Sequence, residues 1–348
     1  MTDQHTVYRL SHRKDFSGIT AHQEDIPTPQ PHEVLIQVRN VALNYRDISI
    51  ATSRYVSPVK ENLIPCSDLA GSIAALGSAV TDFSLGDRVV AAFDPTILYG
   101  PRQGLGAGLG GMVDGVLRAF VALPSTCVVR IPEDEGEQRW GEWASLVCTG
   151  VTAWNALFGN VPLMPGQSVL CQGTGGVSIT ALVFAKAAGA TVIVTSSSDE
   201  KLEMVKRRFG ADHTVNYETS PDWAEDALRI TKGRGVDFVI ENCGSGTISQ
   251  SLKAVAYGGI VACIGFLSPA KQEDMPDVAK LALLKGAVVR GIQVGSKQML
   301  EDVVRFVAAR NLRIPIDREF GFSREEVVRA YEYVRSGKHV GKVCIKVS

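Results

Sequence analysis

This sequence has no long hydrophobic run, almost no net charge and no ordered cysteine framework, and each lack removes a class of protein. The longest apolar stretches, such as 260–267, are far too short to cross a bilayer and suit buried strands instead. With 36 Lys and Arg against 37 Asp and Glu, the formal charge of −1 gives no attraction for nucleic acid or for a membrane, so neither is expected as a partner. The seven cysteines (66, 127, 148, 171, 243, 263 and 344) are scattered, odd in number and mostly in apolar segments. They read as reduced core thiols rather than disulfides. The polar stretch 1–14 offers no apolar h-region, and together with the thiols it points to a cytoplasmic location. There is no internal repeat and no low-complexity tract. At 348 residues, 45% of them hydrophobic, the chain is long enough for two domains with full cores.

What is present is organised around one turn. The apolar run Val169-Leu170-Cys171-Gln172 passes through Gly173-Thr174-Gly175-Gly176-Val177-Ser178 into a helix-patterned stretch, 179–188. Glycines there let backbone N–H groups approach a pyrophosphate, and the helix N-terminus adds a partial positive charge. A second apolar strand, 191–194, follows at about the 20-residue spacing that a βαβ dinucleotide motif requires. Downstream, strands at 168–172, 191–195, 213–215, 236–241, 259–265 and 287–294 alternate with helices at 177–188, 199–209, 221–231 and 247–255. The pattern predicts an α/β fold with a doubly wound parallel sheet covered on both faces.

Upstream, 7–123 is mostly strand and loop, with strands at 33–39, 70–76 and 88–93. Within the glycine-rich loop 95–115, Gly104-Leu105-Gly106-Ala107-Gly108 imitates a dinucleotide fingerprint, but no strand precedes it and no helix follows. It reads as a mobile loop. An acidic patch, 133–139, reads as a linker before a helix-prone segment, 140–158. Helices at 299–309 and 324–337 and a strand at 342–347 close the chain.

NAD-binding units carry an Asp or Glu at the end of the second strand, on the ribose 2′-OH. Here that strand ends in Ser196-Ser197-Ser198, with no carboxylate until Asp199. Hydroxyls that donate and the ammonium of Lys201 suit a 2′-phosphate, so NADP(H) is the expected cofactor. Ser198 or Asp199 can also N-cap the following helix, and both roles are compatible.

Several segments together resemble the medium-chain dehydrogenase/reductase superfamily, in its zinc-independent branch near quinone oxidoreductase-like and zinc-type alcohol dehydrogenase-like proteins. They are Asn44-Tyr45-Arg46-Asp47, Gly86-Asp87-Arg88-Val89, Thr149-Gly150-Val151-Thr152-Ala153-Trp154, the glycine turn, Ser196-Ser197-Ser198-Asp199-Glu200-Lys201, Gly210-Ala211-Asp212-His213, Asn216-Tyr217 and Gly341-Lys342-Val343. The resemblance implies a GroES-like, mostly-β catalytic domain (1–132 and 296–348) around a Rossmann NADP(H)-binding domain (133–295). It also implies a homodimer joined through a Rossmann edge strand near 288–294. On the cofactor it implies that Gly173, Thr174, Gly175, Gly176 and Val177 flank the pyrophosphate. Ser196, Ser197, Lys201 and Tyr217 fall where relatives hold the 2′-phosphate, and Asn44 and Thr152 near the nicotinamide ribose and amide. Gly265, Phe266 and Leu267 lie against the nicotinamide, with Asn242 in the same cofactor set. The fingerprint departs at Ser178, where glycine is commoner, and slightly looser helix packing is expected there.

Zinc members of the superfamily place a Cys in the segment held here by 44–47, a Gly-His-Glu where this chain has Cys66-Ser67-Asp68, and a Cys near Cys148. A catalytic zinc needs about three N, S or O ligands, and here the expected imidazole is missing. No metal is expected. A developing oxyanion must then be met by hydrogen-bond donors, which favours reduction of an activated C=C bond. Tyr55 and Asn44 are the candidate catalytic residues, although Tyr55 also reads as a plain loop tyrosine beside Pro58. Arg46 and Asp47 read as a structural pair. The expected function is NADPH-dependent reduction of an α,β-unsaturated carbonyl or quinone. An NADP-dependent alcohol dehydrogenase or carbonyl reductase is the alternative, and a non-catalytic or redox-sensing NADPH-binding protein a second.

Overall fold

The first strands of the chain run as an antiparallel pair, β1 (Gln4–Leu10) and β2 (Ile19–Asp25), joined through a turn that Asp15 caps by accepting the N–H of Ser17. The computed structural model describes residues 3–104, 106–132 and 139–348. The chain divides into two units, 1–151 with 294–348, and 152–293.

In the first unit, β3 (Glu33–Leu43) leads into the short helix α1 (Tyr45–Ala51), followed by β4 (Asp68–Leu76), β5 (Arg88–Ala91), β6 (Phe120–Pro124) and β7 (Val128–Arg130). β3 is nearly buried along its length because β4 and β6 pair antiparallel on its two sides. Its Val34, Ile36, Val38 and Val41 have no exposed surface, and each such buried side chain is worth about 1.5–3 kcal/mol. α2 (Trp140–Ser145) then packs on β3 and β4 with Trp143 buried. The division between units falls after Val151, and the helix-prone 140–158 is two helices separated by a π turn at Leu146–Gly150. The linker read over 133–139 lies, apart from Arg139, outside the described residues.

The second unit starts with α3 (Val151–Phe158) and continues β8 (Ser168–Gln172), α4 (Gly176–Ala187), β9 (Thr191–Ser196), α5 (Asp199–Phe209), β10 (His213–Asn216), α6 (Trp223–Ile230), β11 (Val236–Glu241), α7 (Ile248–Ala254), β12 (Val255–Cys263), α8 (Val278–Lys285) and β13 (Val288–Gly291). The six strands form one parallel sheet in the order β10-β9-β8-β11-β12-β13. The order reverses beside β8, the strand that carries the glycine turn, and ligands bind at such a switch point. Leu170, Val239 and Val261 from the sheet pack with Trp223, Ala227, Ile248 and Leu252 of α6 and α7 in one buried cluster. α8 was absent from the sequence reading; its Leu283 and Leu284 are exposed and contribute no core pattern.

The chain returns to the first unit through α9 (Lys297–Ala309), β14 (Ile316–Phe320), α10 (Arg324–Arg335) and β15 (Lys342–Lys346). β15 pairs antiparallel with β3, so Val343 and Cys344 stand opposite Leu43 and Ala42. The last strand thereby delivers Lys342 to the start of α1. Among the described residues no helix is long and apolar enough to cross a membrane.

Candidate active site

In the second unit, Gly173 adopts φ +75°, which favours glycine. Gly175 has ordinary extended backbone, and a Cβ built there would meet nothing within 4 Å. Among the described residues no contact therefore demands a glycine at 175. The bare space above the N-terminus of α4 is a cradle that a side chain would fill, and it fits a pyrophosphate. Behind it, the Ser178 hydroxyl donates to the Gln172 carbonyl at 2.5 Å and accepts from Asn242 Nδ2 at 2.8 Å. Ser178 thus ties the helix start to the strand end, where a missing glycine had suggested looser packing. The Asn242 amide nitrogen is committed to this inner network, with a longer bond to the Gln172 carbonyl at 3.3 Å.

At the end of β9, Ser196 is buried and its Oγ accepts the N–H of Ser198 at 3.3 Å, while Ser197 is exposed. Ser198 caps α5 by accepting the Lys201 N–H. Asp199, the nearest carboxylate in sequence, accepts from Asn216 Nδ2 at 2.7 Å. Tyr217 follows β10 with its side chain partly exposed and its N–H donating to Ser196 O at 3.1 Å. Thr174 and Thr152 are buried, and Phe266 and Leu267 are exposed beyond Gly265. A Cβ on Gly265 would stand 2.4 Å from the Asn242 carbonyl oxygen, so the loop passes there only as glycine.

The first unit carries a buried polar cluster. Asn44 ends β3 and caps α1, and its N–H donates to Asp47 Oδ2 at 2.8 Å. Asp47 and Asp68 have no exposed surface. Burial pushes Asp47 up to about 6, with Arg46 the leading opposing influence. Burial also raises Asp68, opposed first by Lys342. Lys342 donates to Leu43 O at 2.7 Å and to Asn44 Oδ1 at 2.7 Å, and stands 3.7 Å from Asp68 Oδ2. Asp68 also accepts from Ser67 Oγ at 2.6 Å and from the Cys148 N–H at 3.2 Å.

Arg46 and Asp47 do different jobs. The Arg46 guanidinium donates to Leu109 O at 2.8 Å and to Tyr55 OH at 3.3 Å, and lies over the Tyr55 and Phe93 rings. The loop expected to be mobile packs closely here. A Cβ on Gly111 would stand 2.2 Å from Arg46 Nη2, and one on Gly115 2.0 Å from Cys66 O. Leu105 of its fingerprint imitation lies outside the described residues. Cys66, at φ +68°, turns its sulfur to Tyr331 OH at 3.3 Å, and burial drives both groups' pKa well up.

The side chains at 44, 67, 68 and 148 do not fit a catalytic zinc. They supply an amide, a hydroxyl, a carboxylate 3.7 Å from the Lys342 ammonium, and a single thiol, with no imidazole among them. Lys342 and Tyr331 went unnoticed as site residues in the sequence. Lys342 was legible only as part of the family segment Gly341-Lys342-Val343, to which no site role was attached.

Comparison with known proteins agrees with this architecture. Residues 30–133 match the alcohol dehydrogenase GroES-like domain family, and residues 176–309 the zinc-binding dehydrogenase family. The chain is 40% identical to a zinc-type alcohol dehydrogenase-like protein of Schizosaccharomyces pombe, over 93% of this chain and 94% of that one. It is 28% identical to acryloyl-coenzyme A reductase of Metallosphaera sedula, over 94% and 96%. The solved structure of a provisionally named alcohol dehydrogenase from Sinorhizobium meliloti 1021 superposes with a TM-score of 0.89 at 35% identity, covering all of both chains.

Proposed function

Because the chain belongs to the medium-chain dehydrogenase/reductase superfamily and is an oxidoreductase of that type, we propose that it reduces the activated C=C bond of an α,β-unsaturated carbonyl or quinone with NADPH and without zinc. The observation that carries the reading is the side-chain set around Asn44, in which a buried ammonium and an amide stand where a metal would need soft donors. Hydride addition to the β-carbon of an enone needs a polarised carbonyl and one proton, both within reach of hydrogen-bond donors. An unactivated ketone asks for more electrophilic help, such as a Lewis acid. The similarity to acryloyl-coenzyme A reductase supports C=C reduction.

NADPH supplies the hydride when bound. In this reading the backbone of Gly173, Thr174, Gly175, Gly176 and Val177 holds the pyrophosphate. Ser196, Ser197, Lys201 and Tyr217 hold the 2′-phosphate; Thr152 and the loop Gly265-Phe266-Leu267 hold the nicotinamide end. Tyr55 accepts from Arg46, so its own O–H proton is left to donate to the substrate oxygen or to the enolate.

The test is turnover of a simple conjugated enone with deuterium-labelled NADPH, read by mass spectrometry and NMR. Label on the β-carbon supports the proposal. Label on the carbinol carbon would establish carbonyl reduction and overturn it, and NADPH binding without turnover across a broad acceptor panel would support a non-catalytic role. Lys201→Glu should weaken NADPH roughly tenfold or more and NADH far less, since a 2′-phosphate would lose an ion pair and gain a repulsion. Equal losses would remove the 2′-phosphate assignment. A homodimer paired through β13, beside the exposed Leu283, Leu284 and Val288, belongs to the same reading and is checked by sedimentation.

A further inference from the structure

We propose that Asn216 is a positioning residue for cofactor choice: it holds the Asp199 carboxylate against the end of β10 and so keeps that carboxylate from the ribose 2′ position, which favours a 2′-phosphorylated dinucleotide. The inference rests on the reading above, in which Ser196, Ser197, Lys201 and Tyr217 meet the 2′-phosphate.

The carboxylate that marks NAD-binding units stands at the end of the second strand. Asp199, just beyond Ser196-Ser197-Ser198, is the first that this chain offers there. It opens α5 and is exposed, and an ionised carboxylate is a pure acceptor, to which a ribose hydroxyl can donate. Left loose beside a 2′-phosphate, the same group would repel it. In the structure it is tied: Asn216 Nδ2 donates to Asp199 Oδ1 at 2.7 Å.

The direction of this tie is fixed from both ends. An asparagine amide can be turned either way, and its hydrogen-bond partners decide the orientation. The Glu218 N–H can only donate, and it meets Asn216 Oδ1 at 3.0 Å. The oxygen therefore faces Glu218, and the nitrogen is left to the carboxylate. The backbone is fixed too. Asn216 stands opposite Ser196 in the β10–β9 register, its carbonyl accepts the Ser220 N–H at 2.8 Å, and the Tyr217 N–H reaches Ser196 O at 3.1 Å. β10 lies on one side of β9, and β8 with the glycine turn lies on the other. A carboxylate tied to the end of β10 is thus drawn to the side of β9 away from the turn that holds the pyrophosphate in this reading. Because Asp199 is exposed, only this bond and the helix start restrain it, and a chain without the Asn216 amide would release it.

The experiment measures dissociation constants of NADPH and of NADH by calorimetry, with the thermal midpoint, on the whole chain. The proteins compared are wild type, Asn216→Ala, Asn216→Asp, Asp199→Asn and the Asn216→Ala/Asp199→Asn double variant. Asn216→Ala should weaken NADPH and tighten NADH, lowering the ratio of the NADH to the NADPH constant roughly tenfold, the scale of one hydrogen bond to a charged group. Asp199→Asn alone should leave the ratio near the wild-type value, since the charge it removes is already tied down. The double variant should return to that value, because no carboxylate remains to be released. Asn216→Asp keeps an acceptor for the Glu218 N–H and sets two carboxylates face to face. It should shift the ratio in the same direction with the turn intact, which tests the proposal even where the alanine variant fails to fold. Equal losses for both cofactors in Asn216→Ala, or a double variant that keeps the shifted ratio, would overturn the proposal and leave Asn216 as a turn residue that supports Tyr217. Tighter binding of NADH than of NADPH by the wild type would end the 2′-phosphate reading separately, because the role of Asn216 is read from the change of ratio among variants.

Discussion

The two units each bury carboxylates without exposed surface, and they treat them in opposite ways. In the nucleotide-binding unit, Glu241 at the end of β11 accepts from Gln172 Nε2, Thr247 Oγ1, Ser251 Oγ and the N–H groups of Cys243 and Gly244. All five donors are neutral, and they come from β8, α7 and the loop beyond β11. In the other unit, Asp47 and Asp68 sit near Arg46 and Lys342, and the accounts do not close: among the described residues Asp47 Oδ1 has no hydrogen-bond partner of good geometry. A complete network of neutral hydrogen bonds holds loop ends rigid beneath a cofactor turn. An ionic cluster is held by charge instead, and burial leaves its carboxylates raised.

The comparison breaks most visibly at Glu241. Glu241→Ala removes the acceptor shared by five donors, of which Gln172 Nε2 keeps Ser251 Oγ and the Cys243 N–H keeps Gln172 Oε1, and should destabilise the unit by on the order of 3–5 kcal/mol, seen in chemical denaturation. A loss below about 1 kcal/mol would mean that the network is not the hub described.

Asp47 tests the open cluster through pH. Its carboxyl is raised to about 6 in the folded chain, against an ordinary value of 3.8. Between those values the folded state binds more protons than the unfolded one, so stability attributable to Asp47 falls as pH rises from about 4 to 6. The accumulated cost above pH 6 is at most about 3 kcal/mol. Asp47→Asn keeps an acceptor for the Asn44 N–H and removes the titration. The stability difference between wild type and Asp47→Asn should therefore move against the wild type across that window. Glu24, Asp87, Asp114 and Asp212 are held below the ordinary carboxylate range and act in the reverse sense at lower pH; the difference cancels them. A flat difference across pH 4–6 would show Asp47 to be an ordinary carboxylate.

The smallest effect belongs to the rim of the closed network. Ser178→Ala removes one hydrogen bond to Gln172 O and one from Asn242, costing about 1–2 kcal/mol and loosening NADPH binding severalfold. Ser178→Gly, which restores the commoner fingerprint, should give no better binding than Ser178→Ala. Tighter binding by the glycine variant would return Ser178 to the status of a tolerated substitution.

Much of the second unit was legible because its order is local. Alternation of buried β-branched strands with amphipathic helices marks β8 to β12 within a few residues, and Ser198 before α5 and Gly210 after it are ordinary cap signals. Where local signals fade, the reading faded too. α8 exposes Leu283 and Leu284 and turns only the partly buried Val278 and Leu281 to the core, and the β1–β2 hairpin alternates weakly. The glycine-rich loop looked mobile because its glycines answer to Arg46 and Cys66, which lie 40 or more residues away in sequence.

By itself the sequence determined the glycine turn, the absence of a carboxylate at the end of β9, the parallel α/β order and the lack of an imidazole beside Cys66 and Asp68. These are matters of residue type at short spacing, and short spacing fixes backbone geometry. Only the tertiary structure decided which polar groups are satisfied and which are left open. Lys342 meets Asn44 across 298 residues because β15 pairs with β3, and no local pattern carries the identity of a partner that the sheet brings in from the far end of the chain.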